Sequence, residues 1–223
     1  MLERFVAFSR GAGTVLLLVA AAQLAGGCLE KPAALSAEER ADEAFAAGAE
    51  RQPTPRTMYS MARILEKKGE HIEHRRVLAR IVHEYPQFMP AYNDLAKSYL
   101  RGKAPREAAQ TLLAGLTVSP KDPVLLNNLG MCWLEMGDNA KALECFQKAA
   151  TSAGTDAPYR SNMAVALGMM GRYDESLALF MQVVPRGEAH HNLAVLCEAR
   201  HDGAMAAQQH QLAEQFGGPR SKS

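Results

Sequence analysis

The stretch Leu129-Gly130-Met-Cys-Trp133 decides the fold, because a similar stretch returns at a constant distance on either side of it. The chain reads Leu95-Ala96-x-x-Tyr99 34 residues earlier and Met163-Ala164-x-x-Leu167 34 residues later. Self-similarity at a fixed period of this length is typical of proteins built from stacked repeats. The same shift relates two further rows of small and large positions, which are Ala108, Ala142 and Ser176, and Leu112, Phe146 and Phe180.

Each repeated feature has a mechanical reason in a pair of packed helices. The small residues, such as Gly130, let the two helices of a pair approach closely, and the large ones, such as Trp133, fill the space opposite the second helix. Gly69, Gly137 and Gly171 lie where a first helix must end and the chain must reverse. Neither helix can bury its apolar face alone, so the pairs must stack. The sequence therefore predicts an all-α solenoid.

These residues resemble the tetratricopeptide repeat (TPR) family, whose members are right-handed superhelical solenoids of antiparallel helix pairs. The resemblance implies about five pairs in a TPR domain over residues 55–216. The first and last units depart from the pattern, with His74 at a small position and His210 at an aromatic one, as capping units often do. Residues 217–223 are predicted to be a disordered tail. The predicted units are 55–88, 89–122, 123–156, 157–190 and a degenerate 187–216.

Composition argues against several classes of protein. The 223 residues carry 25 Lys+Arg against 24 Asp+Glu, and a net charge of +1 offers no global field that would attract nucleic acid. Apolar residues reach 48% but aromatic residues only 6%, which favours closely packed helices over strands. Composition therefore predicts no nucleic-acid partner, and the TPR resemblance implies a protein partner.

The N-terminal region predicts an export signal. Arg4 and Arg10 precede an uncharged run over residues 11–27, which is the layout of a secretory signal. The strongly apolar part of this run is shorter than the stretch of about 20 residues that a membrane-spanning helix needs.

The end of this run reads Leu24-Ala25-Gly26-Gly27-Cys28 and resembles the lipobox of bacterial lipoproteins. In that family a favoured leucine usually stands where this chain has Ala25. The resemblance implies a lipoprotein signal peptide over residues 1–27 and lipidation of Cys28 after cleavage. The alternatives are an ordinary signal peptide cut near Ala22 or an uncleaved anchor.

Residues 28–54 are predicted to form the acylated N-terminus and a flexible tether. A capping-box pattern at Ser36-Ala-Glu-Glu39 predicts a short helix from Ala37 to about Glu50. Acyl chains would anchor the protein to a membrane, since each buried methylene contributes about 0.8 kcal/mol. Leu29 rather than Asp follows the cysteine. By resemblance to enterobacterial sorting, this favours the periplasmic face of the outer membrane over the inner membrane.

In TPR proteins the first helices of the pairs line a groove that binds extended peptides or partner helices. In the register of the repeats, two basic pairs point into this groove, Arg63 with Lys67 and Lys97 with Arg101. We expect a partner with an acidic segment near these first units; ordinary solvated charges are the alternative. The remaining inward positions are Tyr59, Asn93, Asn127, Met131, Glu135, Ser161, Val165, His191 and Val195.

A row of asparagines is the second candidate feature of the groove. Asn128, Asn162 and Asn192 hold equivalent positions, with Asp94 before them. A carboxamide both donates and accepts hydrogen bonds, so such a row could hold the backbone of a peptide, as in some TPR proteins. The alternative is that Asn is simply common at this position. The predicted partner-binding residues are Arg63, Lys67, Asn93, Lys97, Arg101, Asn127, Asn128, Met131, Asn162 and Asn192.

The sequence predicts no enzyme, no metal site and no cofactor. It contains no phosphate-binding loop, nucleophile elbow or dinucleotide fingerprint. The three later cysteines match no zinc spacing and are interpreted as small core residues, with one disulfide left open: Cys132, Cys145 and Cys197. Five histidines that cluster in sequence are interpreted as surface residues: His71, His74, His190, His191 and His201.

Within the TPR superfamily, the segments 124–130 and 161–171 resemble the TadD lipoproteins of Flp (tight adherence) pilus systems. The resemblance implies a scaffold for protein–protein interactions in bacterial envelope assembly. One alternative is a pilotin that escorts an outer-membrane secretin. Another is a generic envelope adaptor for polysaccharide export or outer-membrane biogenesis.

Overall fold

The computed structural model describes Ser36, residues 52–153 and residues 157–219. Within these residues every regular element is an α-helix. The all-α prediction is therefore confirmed for the described part of the chain. The predicted signal peptide, Cys28 and the predicted helix over residues 37–50 lie outside the described residues.

Ten helices of the described part pair into five hairpins, each joined by a short turn. The pairs begin at residues 55, 89, 123, 157 and 186, so the period of 34 residues shortens to 29 before the last pair. The helices are α1 (Pro55–Lys67), α2 (His71–Glu84), α3 (Met89–Arg101), α4 (Pro105–Val118), α5 (Pro123–Glu135), α6 (Asn139–Ala153), α7 (Ala157–Met169), α8 (Tyr173–Phe180), α9 (Arg186–Ala199) and α10 (Gly203–Gln215).

Side-chain caps and prolines define several helix starts. The carboxylate of Asp122 accepts hydrogen bonds from the N–H groups of Val124 and Leu125 at 2.9 and 3.0 Å, which caps α5. Thr54 caps α1 and Asp202 caps α10 in a similar way. Among the helices that the structure describes, none combines the length and apolar character needed to cross a bilayer.

The core runs between and within the pairs, as the repeat pattern predicts. Gly130 is buried, and its position against the fully buried ring of Phe146 brings α5 and α6 close together. The equivalent small residues of the other pairs are also fully buried; they are Ala62, Ala96, Ala164 and Ala194. The large residues opposite them are no more than 3% exposed; they are Leu78, Leu112, Phe146 and Phe180.

The turns inside the pairs need a residue with positive φ. Gly137 has φ 79° at the end of α5, and Gly69 and Gly171 adopt almost the same angle. The second and fifth pairs use Lys103 and His201 at this position, with φ 57° and 61°. This conformation is costly for a residue with a Cβ atom, so these two turns carry strain that the glycine turns lack.

The interpretation of the histidines as surface residues is wrong for His74. Its side chain is 1% exposed, and Nδ1 donates to the carbonyl oxygen of Ala62 at 2.8 Å. Ser176 holds the equivalent position of the fourth pair and donates to Ala164 at 2.7 Å. A polar side chain fits this small position because the facing carbonyl oxygen accepts its hydrogen.

The interpretation is also wrong for His190, which is 4% exposed. The ring of Phe216, just after α10, stacks on it at 5.6 Å, and the guanidinium of Arg186 lies 3.8 Å from the Phe216 centroid. Gly218 approaches Gly187 so closely that a Cβ atom on either would meet the other's backbone. Packing thus extends to Gly218, inside the segment that the sequence assigns to the tail.

Candidate functional site

The first helices of neighbouring pairs lie side by side, as the contacts of α3 with α5 and of α7 with α9 show. Their residues on the side predicted to line the groove form one surface, which we call the first-helix face. It contains the predicted groove residues and the asparagine row: Tyr59, Arg63, Lys67, Asn93, Asp94, Lys97, Arg101, Asn127, Asn128, Met131, Glu135, Ser161, Asn162, Val165, His191, Asn192 and Val195.

A chain of side-chain hydrogen bonds crosses this face from the fourth pair to the first. Asn162 Nδ2 donates to Asn127 Oδ1 at 2.7 Å, and Asn127 Nδ2 donates to Asn128 Oδ1 at 3.4 Å. Asn128 Nδ2 then donates to Asn93 Oδ1. All these side chains are half-buried. The asparagines therefore bind one another across the junctions.

The hydrogen-bond chain ends on the carboxylate of Asp94. Asn93 Nδ2 donates to Asp94 Oδ1 at 3.2 Å, and the hydroxyl of Tyr59 donates to Asp94 Oδ2 at 2.5 Å. Each asparagine in the chain thus donates one amide N–H in the direction of this one anion. Aligned hydrogen bonds polarise one another and stabilise the charge at their end.

Burial and the hydrogen bond to Asp94 raise the pKa of Tyr59 to about 12. The hydroxyl therefore keeps its proton, and with it the bond to Asp94, at physiological pH. The ring of Tyr59 also packs edge-on against Phe88 at 5.3 Å. The first two pairs are joined by this polar and aromatic contact.

The structure places the asparagines differently from the predicted peptide-holding row. Asn128 and Asn162 each use one amide N–H on the preceding pair, which leaves only the second N–H of each for a ligand. Within the described residues, the side chains of Asn192 and Ser161 make no hydrogen bond and are half-buried. Asn192 and Ser161 therefore keep their full hydrogen-bonding capacity at the junction of the fourth and fifth pairs.

The basic residues also divide into two kinds. Lys97 Nζ lies 3.8 Å from Asp94 Oδ1, and Arg101 pairs with Glu66 at 2.8 Å. Arg63 and Lys67 are exposed and have no ion pair in the described part of the chain. Of the two predicted basic pairs, the one on α1 therefore carries the unneutralised charge.

The later part of the first-helix face is apolar and partly used by the core. Met131 is half-buried and packs against the cluster that contains Phe146 and Leu167. Val165 packs against the cluster around Phe180, whereas Val195 is 46% exposed. Of the predicted groove residues, Met131 therefore offers a ligand only part of its side chain.

The cysteines are buried free thiols. Cys132 and Cys197 have no exposed surface and Cys145 is 9% exposed. Burial raises the pKa of Cys132 to about 12 and also raises the pKa of Cys145 and Cys197. Because the thiolate is the reactive form, none of the three is suited to be a nucleophile at neutral pH.

Two segments of the chain match family models of the tetratricopeptide repeat, over residues 123–155 and 159–202. Both segments are tetratricopeptide repeats. They coincide with the third helix pair and with α7 to α9, and so contain most of the asparagine chain. No curated protein matches the sequence.

Solved structures share the fold at low sequence identity. YrrB, described as a TPR protein with an unusual peptide-binding site, is 18% identical with a TM-score of 0.59, over 78% of this chain and 91% of that one. A TPR protein from Parabacteroides merdae is 16% identical with a TM-score of 0.64, over 82% and 73%. MamA from Desulfovibrio magneticus RS-1 is 18% identical with a TM-score of 0.53, over 66% and 82%. The likeness confirms the TPR solenoid.

Proposed function

We propose that this protein is a non-enzymatic TPR scaffold that binds a protein partner on its first-helix face. The observation that carries the proposal is the hydrogen-bond chain from Asn162 to Asp94, which holds four helix pairs in one arrangement. A surface organised before binding loses less conformational entropy when a partner docks. The printed description of YrrB as having a peptide-binding site supports the same mode of binding.

The chemistry of the face defines the partner. Arg63 and Lys67 present unpaired positive charge at one end, and Val195 with Asn192 presents an exposed apolar and amide surface at the other. A partner segment with acidic residues at one end and apolar residues at the other fits this order. Reversing the charge of Arg63 and Lys67 together should weaken binding, and the weakening should fade at high salt.

Site-specific photocrosslinking in cells tests the use of this face. A crosslinker at Lys97, which is 51% exposed, or at Val195 should capture the same partner. Leu113 and Lys148 lie on second helices and are similarly exposed, so they are matched controls that should not capture it. A partner captured equally well from the control positions would contradict a role for the first-helix face.

The protein acts at the bacterial cell envelope as a lipoprotein anchored through Cys28, on the periplasmic face. The lipobox-like end of residues 1–28 supports this assignment. Radiolabelled palmitate should label the wild-type chain and leave Cys28→Ser unlabelled. Equal labelling of both, or of neither, would remove the lipoprotein assignment without affecting the scaffold proposal.

The envelope system we favour is Flp or type IV pilus assembly, supported by the resemblance of residues 124–130 and 161–171 to TadD lipoproteins. Neighbouring genes for a prepilin, an assembly ATPase and a secretin would agree with this assignment. Loss of surface pili on deletion, restored by the wild-type gene, is the direct test. Normal piliation in the deletion strain would favour a general envelope adaptor.

A further inference from the structure

A pocket of about 280 Å³ lies at the junction of the first two helix pairs, between α2 and α3, and is lined by His71, Arg75, Ser98, Arg101 and Gly102. His71, Arg101 and Gly102 are exposed, so the pocket opens to solvent. Arg75 is half-buried and Ser98 is only 5% exposed. A ligand in the pocket would therefore reach two polar side chains that the fold otherwise covers.

The repeat pattern shows that this pocket takes the place of apolar packing. At the junction of the second and third pairs, the equivalent positions belong to one apolar cluster. There the chain has Ala109, Cys132 and Met136 in place of Arg75, Ser98 and Gly102. At the next junction, Leu143 and Ala166 share another apolar cluster. The first junction thus has a guanidinium, a hydroxyl and an open space where the others have apolar side chains.

Both covered side chains carry hydrogen-bond donors without a partner. Within the described residues, the Ser98 hydroxyl makes no hydrogen bond, and Arg75 makes no hydrogen bond or ion pair. The guanidinium of Arg75 lies over the ring of Tyr99, 5.8 Å from its centroid, and this contact uses none of its N–H groups. Because covered polar groups are normally hydrogen-bonded, these donors indicate that the pocket receives an acceptor.

Gly102 keeps the pocket open. Its φ of −81° is one that any residue adopts, so the backbone does not require glycine there. A Cβ atom at this position would lie 3.3 Å from Nη1 of Arg75. The missing side chain therefore leaves room for the guanidinium and for a group bound to it.

The charge of the pocket defines the chemistry of the ligand. Arg101 is already paired with Glu66 at 2.8 Å, so Arg75 supplies the unneutralised guanidinium of the lining. One singly charged anion balances it. A guanidinium binds a carboxylate through two parallel N–H···O bonds, and a serine hydroxyl can donate a third.

We propose that Arg75 and Ser98 bind one carboxylate group in this pocket, from an Asp or Glu side chain of the protein partner. The pocket borders the first-helix face, because Arg101 belongs to both. The partner as carrier of the carboxylate rests on the proposed scaffold function, whereas carboxylate binding itself does not.

Nuclear magnetic resonance of the full-length chain in a non-ionic detergent tests the pocket without a partner. Sodium acetate, exchanged for sodium chloride at constant ionic strength, should shift the Nε–H signal of Arg75 and the amide signal of Gly102 until they saturate. Acetamide has a similar shape without the charge and should leave both signals in place. Arg75→Gln should lower the acetate affinity by about 10-fold or more, and Ser98→Ala by about 3- to 10-fold.

Gly102→Met fills the pocket with the residue of the third and fourth pairs, and it should also lower the acetate affinity by about 10-fold or more. Arg76 is the matched control, because it lies beside Arg75 on α2 but is 71% exposed and paired with Glu73. Arg76→Gln should keep the wild-type affinity. Carboxylate binding is overturned if the wild-type chain shows no saturable shift at Arg75. It is also overturned if both Arg75→Gln and Gly102→Met bind acetate normally.

Photocrosslinking from Lys97 in cells identifies the carrier of the carboxylate. Gly102→Met should reduce capture of the partner by about 10-fold or more, and Arg76→Gln should not reduce it. Unchanged capture by a variant that has lost acetate binding would assign the pocket to a free carboxylic acid and overturn the partner as the source. Absence of capture by the wild-type chain would contradict the scaffold function, whereas the acetate result would stand.

Discussion

Asn162 donates a hydrogen bond to Asn127 at 2.7 Å, although the two residues are 35 positions apart in the sequence. The same offset separates Asn93 from Asn128 and Tyr59 from Asp94, which are also hydrogen-bonded. This offset exceeds the repeat period by one residue, so each bond joins non-equivalent positions of neighbouring pairs. Each bond therefore sets how one pair lies against the next.

Breaking one of these bonds should destabilise the fold measurably. Asn127→Ala leaves the half-buried amide of Asn162 without its acceptor, and we expect a loss of about 1 kcal/mol in the free energy of unfolding. A double-mutant cycle with Asn162→Ala should give a coupling of about 0.5–1 kcal/mol. Asn192→Ala is the control, because this side chain makes no hydrogen bond in the described residues. A coupling near zero in urea unfolding would contradict the role assigned to the bond.

Gly130→Ala should destabilise the protein, although alanine normally favours a helix interior by about 1 kcal/mol over glycine. A Cβ atom at this position would lie 2.7 and 2.8 Å from Cδ1 and Cζ of the buried Phe146 ring. Overpacking of this kind costs about 1–3 kcal/mol, which outweighs the gain in helix propensity. Gly203→Ala, where no atom lies within 4 Å, should be neutral or stabilising in the same thermal unfolding experiment.

Lys103→Gly should stabilise the protein by about 0.5–1 kcal/mol, because Lys103 has φ 57° and glycine adopts this conformation without the Cβ penalty. The reverse change at the equivalent turn, Gly137→Ala, should destabilise by about 1 kcal/mol. No atom lies within 4 Å of a Cβ built at Gly137, so the backbone angle alone is tested there. A lower unfolding midpoint for Lys103→Gly would refute this account of the turn.

Alkaline pH should weaken the junction of the first two pairs through Tyr59. Its pKa is about 12 in the folded state and close to 10 in an unfolded chain. The unfolded state loses the proton first, so this contribution to stability is complete below pH 10 and is lost as the pH rises towards 12. Tyr59→Phe should remove this part of the loss, and ultraviolet titration should lack one late-titrating phenol. If the phenol lost in Tyr59→Phe titrates near pH 10 instead, Tyr59 is not held as described.

The sequence was sufficient for the architecture because the fold depends on rows of small and large residues at a constant period. Gly130 belongs to the row of small residues and Phe146 to the row of large ones, and both are buried as expected. The turns could be predicted from the sequence only in part, since Lys103 and His201 adopt the conformation of the glycine turns without being glycine. When the neighbouring helices impose a positive φ, the turn cannot be recognised from the type of residue at that position.

The hydrogen-bond chain was not predicted, because alignment at the period compares equivalent residues and these contacts join non-equivalent ones. Comparing residues one position further apart than the repeat period would have paired Asn127 with Asn162 and Asn93 with Asn128. The burial of His74 was missed for a different reason: an acceptor such as the Ala62 carbonyl oxygen belongs to the backbone and has no signal in the sequence.

The uniform orientation of the asparagine amides gives the first-helix face a direction. At one end Asn162 Oδ1 has no partner in the described residues and can only accept, so a ligand must bring hydrogen there. At the other end Arg63 and Lys67 can only donate, so the ligand must bring lone pairs. Under the proposed scaffold role, a partner segment with a hydrogen-bond donor at one end and an anionic group at the other would match this face in one orientation only.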